Sequence, residues 1–385
     1  MDLFNRNLDV SMGAPLNHSQ SSSNLTSPSI PTTDPGPKIE KGEFHEGDEK
    51  PTTATEHKSP YDEAYSYIQE CRSWRKSGST AFHLHCSLED YEAPFAIKIS
   101  VGDWIKLGSE LELGESDEAY PRISYNTSTS KLIVQCMAPP FPQFISSMIG
   151  EEFVASKLSL PMNLRNKTRL SWGVDQNNFK GRWWGSLKRP DLAIDVYNKN
   201  GVQKTRWVLE TGFSGPYENL VNDAQLWLEG GSEVAMVMLV KFTETPKYRC
   251  PINIDDVKDD GNKPKELGIP SDRSQIAYQD VCLEEPFGPA QYRGLTWVGQ
   301  ITEAFMEIWI RDGNNKAIQY GDCQDLLCAA QLHVPFEGIF PSGYFEGITL
   351  DLEMFRSTLR DEIKIQASWR CREMVKRYKR QWEIF

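Results

Sequence analysis

Asp191 and Glu210 are the residues whose types and spacing promise chemistry. They lie in the run RPDLAIDVYNKNGVQKTRWVLETGFSG, which reads as two strands joined by a tight turn at Asn200-Gly201. Asn-Gly is the strongest short hairpin signal, because a type I′ turn needs positive φ at both central residues. With those two residues as the turn, Lys199 opposes Val202, and counting back in step along both arms sets Asp191 opposite Glu210. Side chains directly across an antiparallel pair have Cβ atoms roughly 4.5–5.5 Å apart. Like charges so placed destabilise the pair unless something compensates, and a divalent cation is the usual compensator.

The elements that must position this pair support the register. Leu192, Ile194 and Val196 alternate onto one face, where they meet Leu209 and Trp207. Asp191, Ala193 and Asp195 take the other face, opposite Glu210, Val208 and Arg206. A one-residue slip would bury the carboxylates, so the apolar face sets the pairing. Asp195 facing Arg206 reads as an ordinary cross-strand ion pair. Asp191 facing Glu210 has no such internal answer.

On these residues the chain resembles the PD-(D/E)XK, or restriction-endonuclease-like, superfamily. Pro190-Asp191 matches the opening of one strand in that pattern, and Glu210-Thr211-Gly212 the acid-led triplet on the next. The preceding stretch adds a hairpin, YPRISYNTSTSKLIVQCMA over 120–138, then Pro139, Pro140 and Pro142, then an apolar-faced helix from about Gln143 to Lys157. That order resembles the compact bacterial members and their fungal relatives over residues 119–243. The resemblance implies a nuclease-like protein that hydrolyses phosphodiester bonds of nucleic acid with Mg²⁺ or Mn²⁺. Asp191 and Glu210 would bind the metal, with the backbone carbonyl of Thr211 and an acid from the helix. Glu152 is the candidate, at helical spacing with Ile145, Met148 and Ile149. The plainer alternative is an exposed glutamate pair, Glu151-Glu152. One departure matters: Gly212 stands where the family has a lysine that helps orient or activate the attacking water. Lys241, in the apolar run VAMVMLVKF that reads as the neighbouring buried strand, is the candidate replacement and third catalytic residue. Without a replacement cation the chain would keep the fold and serve as a catalytically inactive binding or scaffold module.

A net charge of −12 argues against general nucleic-acid binding, which needs clustered Lys and Arg. Between Arg165 and Arg189, however, seven basic residues face one acid, Asp175. Lys180, Arg182, Lys188, Arg189 and Trp183 are the candidate nucleic-acid contacts, since aromatics among cations suit stacking on exposed bases. The bland alternative is a solvated basic loop whose tryptophans pack in the core. A second basic cluster, from Arg370 to Arg380, reads as structural, because cations complement a helix C-terminus.

The rest of the chain bounds the answer. No apolar run approaches the ~18 residues of a spanning helix, so no membrane partner is expected. The first residues lack a basic region followed by an apolar one, so no secretory signal is expected. Eight cysteines without a CxxC fit reduced thiols and an intracellular setting, cytoplasm or nucleus. Cys323, Cys328 and His333 fall short of a zinc site, which needs a fourth ligand and usually tighter spacing, and His83, His85 and Cys86 would supply one only by coincidence. No Gly-x-Ser-x-Gly elbow and no Walker loop occurs.

The expected architecture is an α/β domain over 59–350, a mixed central sheet flanked by helices. A polar, Ser/Thr/Pro-rich tail over 1–58 precedes it and is expected to be disordered. A helix begins near Tyr61, and strands are expected around AFHLHC and FAIKISV. A helix from Pro216 ends at Gly230-Gly231. Residues 245–295 read as a loop-rich insertion, 302–312 as a strand with a hairpin partner in KAIQYGD, and 351–385 as a C-terminal helix from about Leu352 to Trp382.

Overall fold

The computed structural model describes residues 58–77, 94–113, 121–252 and 266–382, apart from residues 137–139, 142, 199, 214, 232 and 341–343. The expected tail, except Lys58, and the AFHLHC segment with His83, His85 and Cys86 lie outside the described residues. The described chain is α/β, built on a six-stranded mixed sheet with helices against it. Its strands are β4 (Thr168–Ser171), β5 (Leu192–Tyr197), β6 (Gln203–Phe213), β7 (Met236–Thr245), β11 (Gln300–Arg311) and β12 (Ala317–Asp325), in the order β12-β11-β7-β6-β5-β4. Only β6 and β7 run parallel. A parallel pair needs a crossover, and the connection is helix α4 (Tyr217–Gln225), prolonged by a π-helical turn to Gly230.

β7 is central and covered on both faces, which is why MVMLVKF reads as a continuous apolar run rather than an alternating one. On one face, Leu192, Ile194, Trp207, Leu209, Met238 and Val240 pack with helices α3 (Gln143–Lys157) and α5 (Leu352–Trp382). On the other, Ala193, Val208, Val237 and Leu239 meet Leu220, Ala224 and Trp227 from α4 and its π turn. The stripe Leu352, Phe355, Leu359, Ile363, Gln366, Arg370 and Met374 recurs every three or four residues along α5, and all of it is buried. Arg370 belongs to that stripe because it meets Glu244 of β7 at 2.6 Å and donates to the Trp297 carbonyl. This bears out the structural reading of the basic helix at that residue.

A second sheet, order β1-β3-β2, joins β1 (Phe95–Lys98), β2 (Arg122–Asn126) and β3 (Lys131–Gln135). Its alternation sends Ile123, Tyr125, Leu132 and Val134 into a separate small core with α1 (Pro60–Ser77) and α2 (Val101–Glu110). The strand expected through Ser100-Val101 stops early, because the Ser100 hydroxyl caps α2 by accepting from Asp103 N–H at 3.0 Å. Cys71 and Cys136 meet in that core and are joined in a disulfide with Cα atoms 5.7 Å apart. The expectation of wholly reduced thiols is corrected there: α1 returns one cysteine to the other across 65 residues, a contact no local spacing announces.

The insertion at 245–295 is also more structured than expected. Strands β8 (Cys282–Leu283), β9 (Ala290–Tyr292) and β10 (Leu295–Val298) form a small antiparallel sheet. Ile252, Ile269, Ile276, Val281, Tyr292 and Trp297 are buried in the main core beside α5. Residues 253–265 lie outside the described set. A last pair, β13 (Gln331–Pro335) and β14 (Gly347–Asp351), leads into α5.

Candidate active site

The hairpin reaches the expected pairing from Ile194 to Leu192 by an unexpected route. Asn198 N–H donates to the Val202 carbonyl at 3.0 Å, so the loop spans residues 199–201 rather than two residues. Gly201 supplies the positive φ, at 73°. Near the turn Tyr197 therefore pairs with Gln203 and Asp195 with Thr205, one residue out of the expected step. A bulge then takes up Arg206, and beyond it Ile194 faces Trp207 and Leu192 faces Leu209, as expected. The paired register ends at Leu192, and Asp191 N–H donates to the Leu209 carbonyl at 3.1 Å instead of pairing with Glu210, although the Asp191 carboxylate still acts on Glu210 electrostatically. The expected Asp195–Arg206 ion pair is thereby lost. Asp195 accepts from Ser171, Gln203 and Thr205, and Arg206 turns to Glu233 and the Gly338 carbonyl.

The two carboxylates are answered by cations of the chain itself. Arg122 of β2 donates to Asp191 Oδ1 and to the Arg189 carbonyl. Thr211 N–H donates to Asp191 Oδ2 at 2.7 Å. Glu210 accepts from the Trp227 indole N–H at 2.7 Å, and its other oxygen stands 3.4 Å from Lys188 Nζ. Lys188 is held at 2.6 Å by Asp223 of α4. The segment before Pro190 delivers this lysine: Leu187 bridges to Tyr125 of β2 and Lys188 to Gln176, so the stretch lies between the two sheets.

Burial pushes the Glu210 carboxyl up to about 8, with Asp223 and Asp191 adding to the rise while Lys188 and Arg122 oppose it. Burial alone would push Lys188 down, but Asp223 and Glu210 outweigh it and hold the ammonium above its ordinary value. The group is therefore a proton-rich acid beside a firmly charged lysine.

Lys241 does not join them. It pairs in register with Gly212, yet its ammonium donates to the Phe242 carbonyl at 2.6 Å and lines a separate cavity with Tyr217, Lys247 and Glu303. Burial lowers it to about 8, and neither Asp191 nor Glu210 is among the charges acting on it. Gly212 has little room for a side chain. A Cβ there would stand 2.8 Å from Leu220 Cδ1, so the Leu220 side chain of α4 packs where a side chain at 212 would begin.

Other expected residues are distributed differently. Glu152 is half-buried on α3, which packs against the opposite face of the sheet from Glu210, so the helix does not bring it to the pair. Thr211 lies between the acids through its backbone, and its own hydroxyl is buried without a hydrogen-bond partner. Of the expected nucleic-acid contacts, Lys188 and Arg189 are buried in ion pairs, Arg189 with Asp175 at 2.7 Å. Trp183 is 2 % exposed, so it cannot stack on a base. Arg182 is exposed but engaged with Glu229, and Lys180 is exposed. Trp172 and Trp184 are the tryptophans of this stretch that reach solvent. The residues that sequence reasoning missed are Arg122, Asp223 and Trp227. A trace of the last two was present: Leu220, Asp223 and Trp227 recur at helical spacing on one face of α4.

Among the described residues no group of three or more His, Cys, Asp or Glu side chains is arranged to hold a metal ion. The donors at the pair are two carboxylates, Asp191 and Glu210. Mg²⁺ is commonly held by one or two carboxylates, with water and phosphate oxygens completing its shell, so the donors suit that ion rather than an all-protein cage. The chain matches no protein-family model, no curated protein and no solved structure.

Proposed function

We propose that the chain is a Mg²⁺- or Mn²⁺-dependent phosphodiester hydrolase of the restriction-endonuclease-like type, acting on nucleic acid at Asp191 and Glu210. The observation that carries this reading is the meeting of the two acids at one end of the β5–β6 ribbon with the Lys188 ammonium 3.4 Å from Glu210. Hairpin, helix, PD segment and acid-bearing strand follow one another as β2–β3, α3, β5 and β6, which supports the same reading. Asp191, Glu210 and the Thr211 carbonyl would hold the metal, which when bound lowers the pKa of a water and stabilises charge on the phosphate. Lys188 takes the role first assigned to Lys241. Asp223 aims its ammonium, and the charge it keeps stabilises the negative charge that develops on phosphate oxygens. Arg122 and Thr211 N–H orient Asp191, and the Trp227 indole orients Glu210.

A second reading rests on a specific observation: each of the four carboxylate oxygens already faces a donor of the chain. A network so satisfied would serve a catalytically inactive binding module. Cleavage of single- and double-stranded DNA and RNA, with Mn²⁺ binding followed by calorimetry, separates the two. Metal-dependent cleavage abolished by Glu210→Gln supports the hydrolase. Absence of both Mn²⁺ binding and cleavage sinks it.

A further inference from the structure

A cleft of about 450 Å³ opens between the β1-β3-β2 sheet and α4, and Lys188 and Asp223 form part of its wall. That volume falls in the range of small-molecule sites, roughly 300–1,000 Å³. The opposite face of the small sheet is committed to the core around Leu132 and Val134. The face toward the cleft is polar. Register sets Lys98 directly opposite Lys131, and Lys131 opposite Asn126, so three polar side chains stand abreast across three strands.

Two like charges directly opposite each other destabilise a sheet unless an anion compensates. Neither lysine has an ion-pair partner among the described residues; Lys131 donates to the neutral Asn219 Oδ1 at 3.0 Å. Of the acids on the cleft, Asp223 is engaged by Lys188, which leaves Glu218. The amides of Asn126, Asn219 and Asn222 add donors and acceptors around the two ammonium groups. A bare anion would use the lysines and leave the amides idle. A nucleotide uses both.

We propose that this cleft is a nucleotide pocket, in which a phosphate monoester seats between Lys98 and Lys131 and the nucleoside lies against the asparagine amides. The ligand is a phosphorylated nucleoside, free or as the terminal unit of a single strand. The pocket takes its biological sense from the hydrolase reading, since its Lys188 end adjoins Glu210 and would set a strand end beside the acids.

The test is calorimetric titration of the full chain without metal. The probes are a nucleoside 5′-monophosphate, the unphosphorylated nucleoside, inorganic phosphate and a 5′-phosphorylated single-stranded oligonucleotide. Lys98→Ala combined with Lys131→Ala should weaken nucleotide binding roughly tenfold or more, as expected for lost charge-assisted contacts, at an unfolding temperature no lower than that of the wild type. Nucleoside and inorganic phosphate should each bind at least about tenfold more weakly than the monophosphate. Binding of the oligonucleotide as well as the monophosphate assigns the pocket to strand ends; binding of the monophosphate alone assigns it to free nucleotide. Equal affinity in wild type and double variant, phosphate binding as tightly as nucleotide, or no binding of either phosphorylated nucleoside overturns the pocket. Nucleotide binding without cleavage keeps the pocket and removes the hydrolase. Metal-dependent cleavage without any nucleotide binding keeps the hydrolase and removes the pocket.

Discussion

Lys188 and Lys241 are both buried lysines against one sheet, and their surroundings give them opposite properties. Lys188 sits between Asp223 and Glu210, and the two carboxylates hold its proton more firmly than water would. Lys241 has a backbone carbonyl for its ammonium and burial lowers it to about 8. Burial is common to both, so the difference lies in which acids the fold delivers. Asp223 reaches Lys188 from α4, while Glu303 and Lys247 act on Lys241 with opposite signs. A lysine's position in the sequence relative to an acid-bearing strand is therefore a poor guide to its chemistry, and the charges within a few ångströms decide it.

The comparison breaks first at Lys188. Lys188→Met should abolish cleavage by about 10²-fold or more if the ammonium stabilises developing charge. It should also destabilise the chain by roughly 3–5 kcal/mol, because the buried Glu210 and the half-buried Asp223 lose their partner. Denaturant unfolding and single-turnover assays at low temperature measure the two effects separately. Cleavage retained within about threefold would show that Lys188 is a structural ion only.

Gly212→Lys tests the close packing of Leu220 against β6. Its Cβ would meet the Leu220 side chain, which must be displaced, at a cost of about 1–3 kcal/mol in denaturant unfolding. A neutral or stabilising result would show that the Leu220 side chain yields easily.

Glu210→Gln sharpens the electrostatics. Glu210 is raised from 4.5 to about 8, so the folded state holds its proton over a window where the unfolded chain has lost it. The stability this contributes is complete below pH 4.5 and is lost as pH rises through about 8. The glutamine variant, which keeps a neutral acceptor for Trp227, should lack this decline, on the order of 4 kcal/mol between pH 5 and 9. Mn²⁺ affinity of the wild type should rise over the same window, since a metal needs the carboxylate. Identical pH profiles of wild type and variant would contradict the raised value.

The smallest effect is expected at Lys241. At pH 7 the folded chain carries the cost of a charged, buried ammonium, and wild-type stability should rise with pH from about 8 toward 10.5 as the folded state sheds the proton first. Lys241→Met removes that cost and should stabilise by about 1 kcal/mol at pH 7, with cleavage changed less than about threefold. A large loss of cleavage would return Lys241 to the site.

The helices α3 and α5 were legible to the residue, because each buries a stripe whose 3.6-residue period is written in consecutive positions. The β5–β6 pairing was legible for a related reason, since only one register puts Leu192, Ile194, Trp207 and Leu209 on a common buried face. The turn was not: a three-residue loop and a bulge at Arg206 cancel each other, and the outcome matched while the path did not. The basic run before Pro190 was misread in its direction, because sequence counts charges and leaves open that Lys188 and Arg189 point inward to Asp223 and Asp175.

The sequence by itself determined the local periodicities, the mixed α/β character and the approach of Asp191 to Glu210, all set by alternation and hydrophobic spacing over short stretches. Tertiary structure alone decided what stands between those acids and solvent. Arg122 arrives from another sheet, Asp223 and Trp227 from a crossover helix, and Lys188 along an irregular segment bridging the two sheets. Their convergence depends on how separately formed layers dock, and an ion pair's strength depends on distance and burial, which no spacing along the chain encodes.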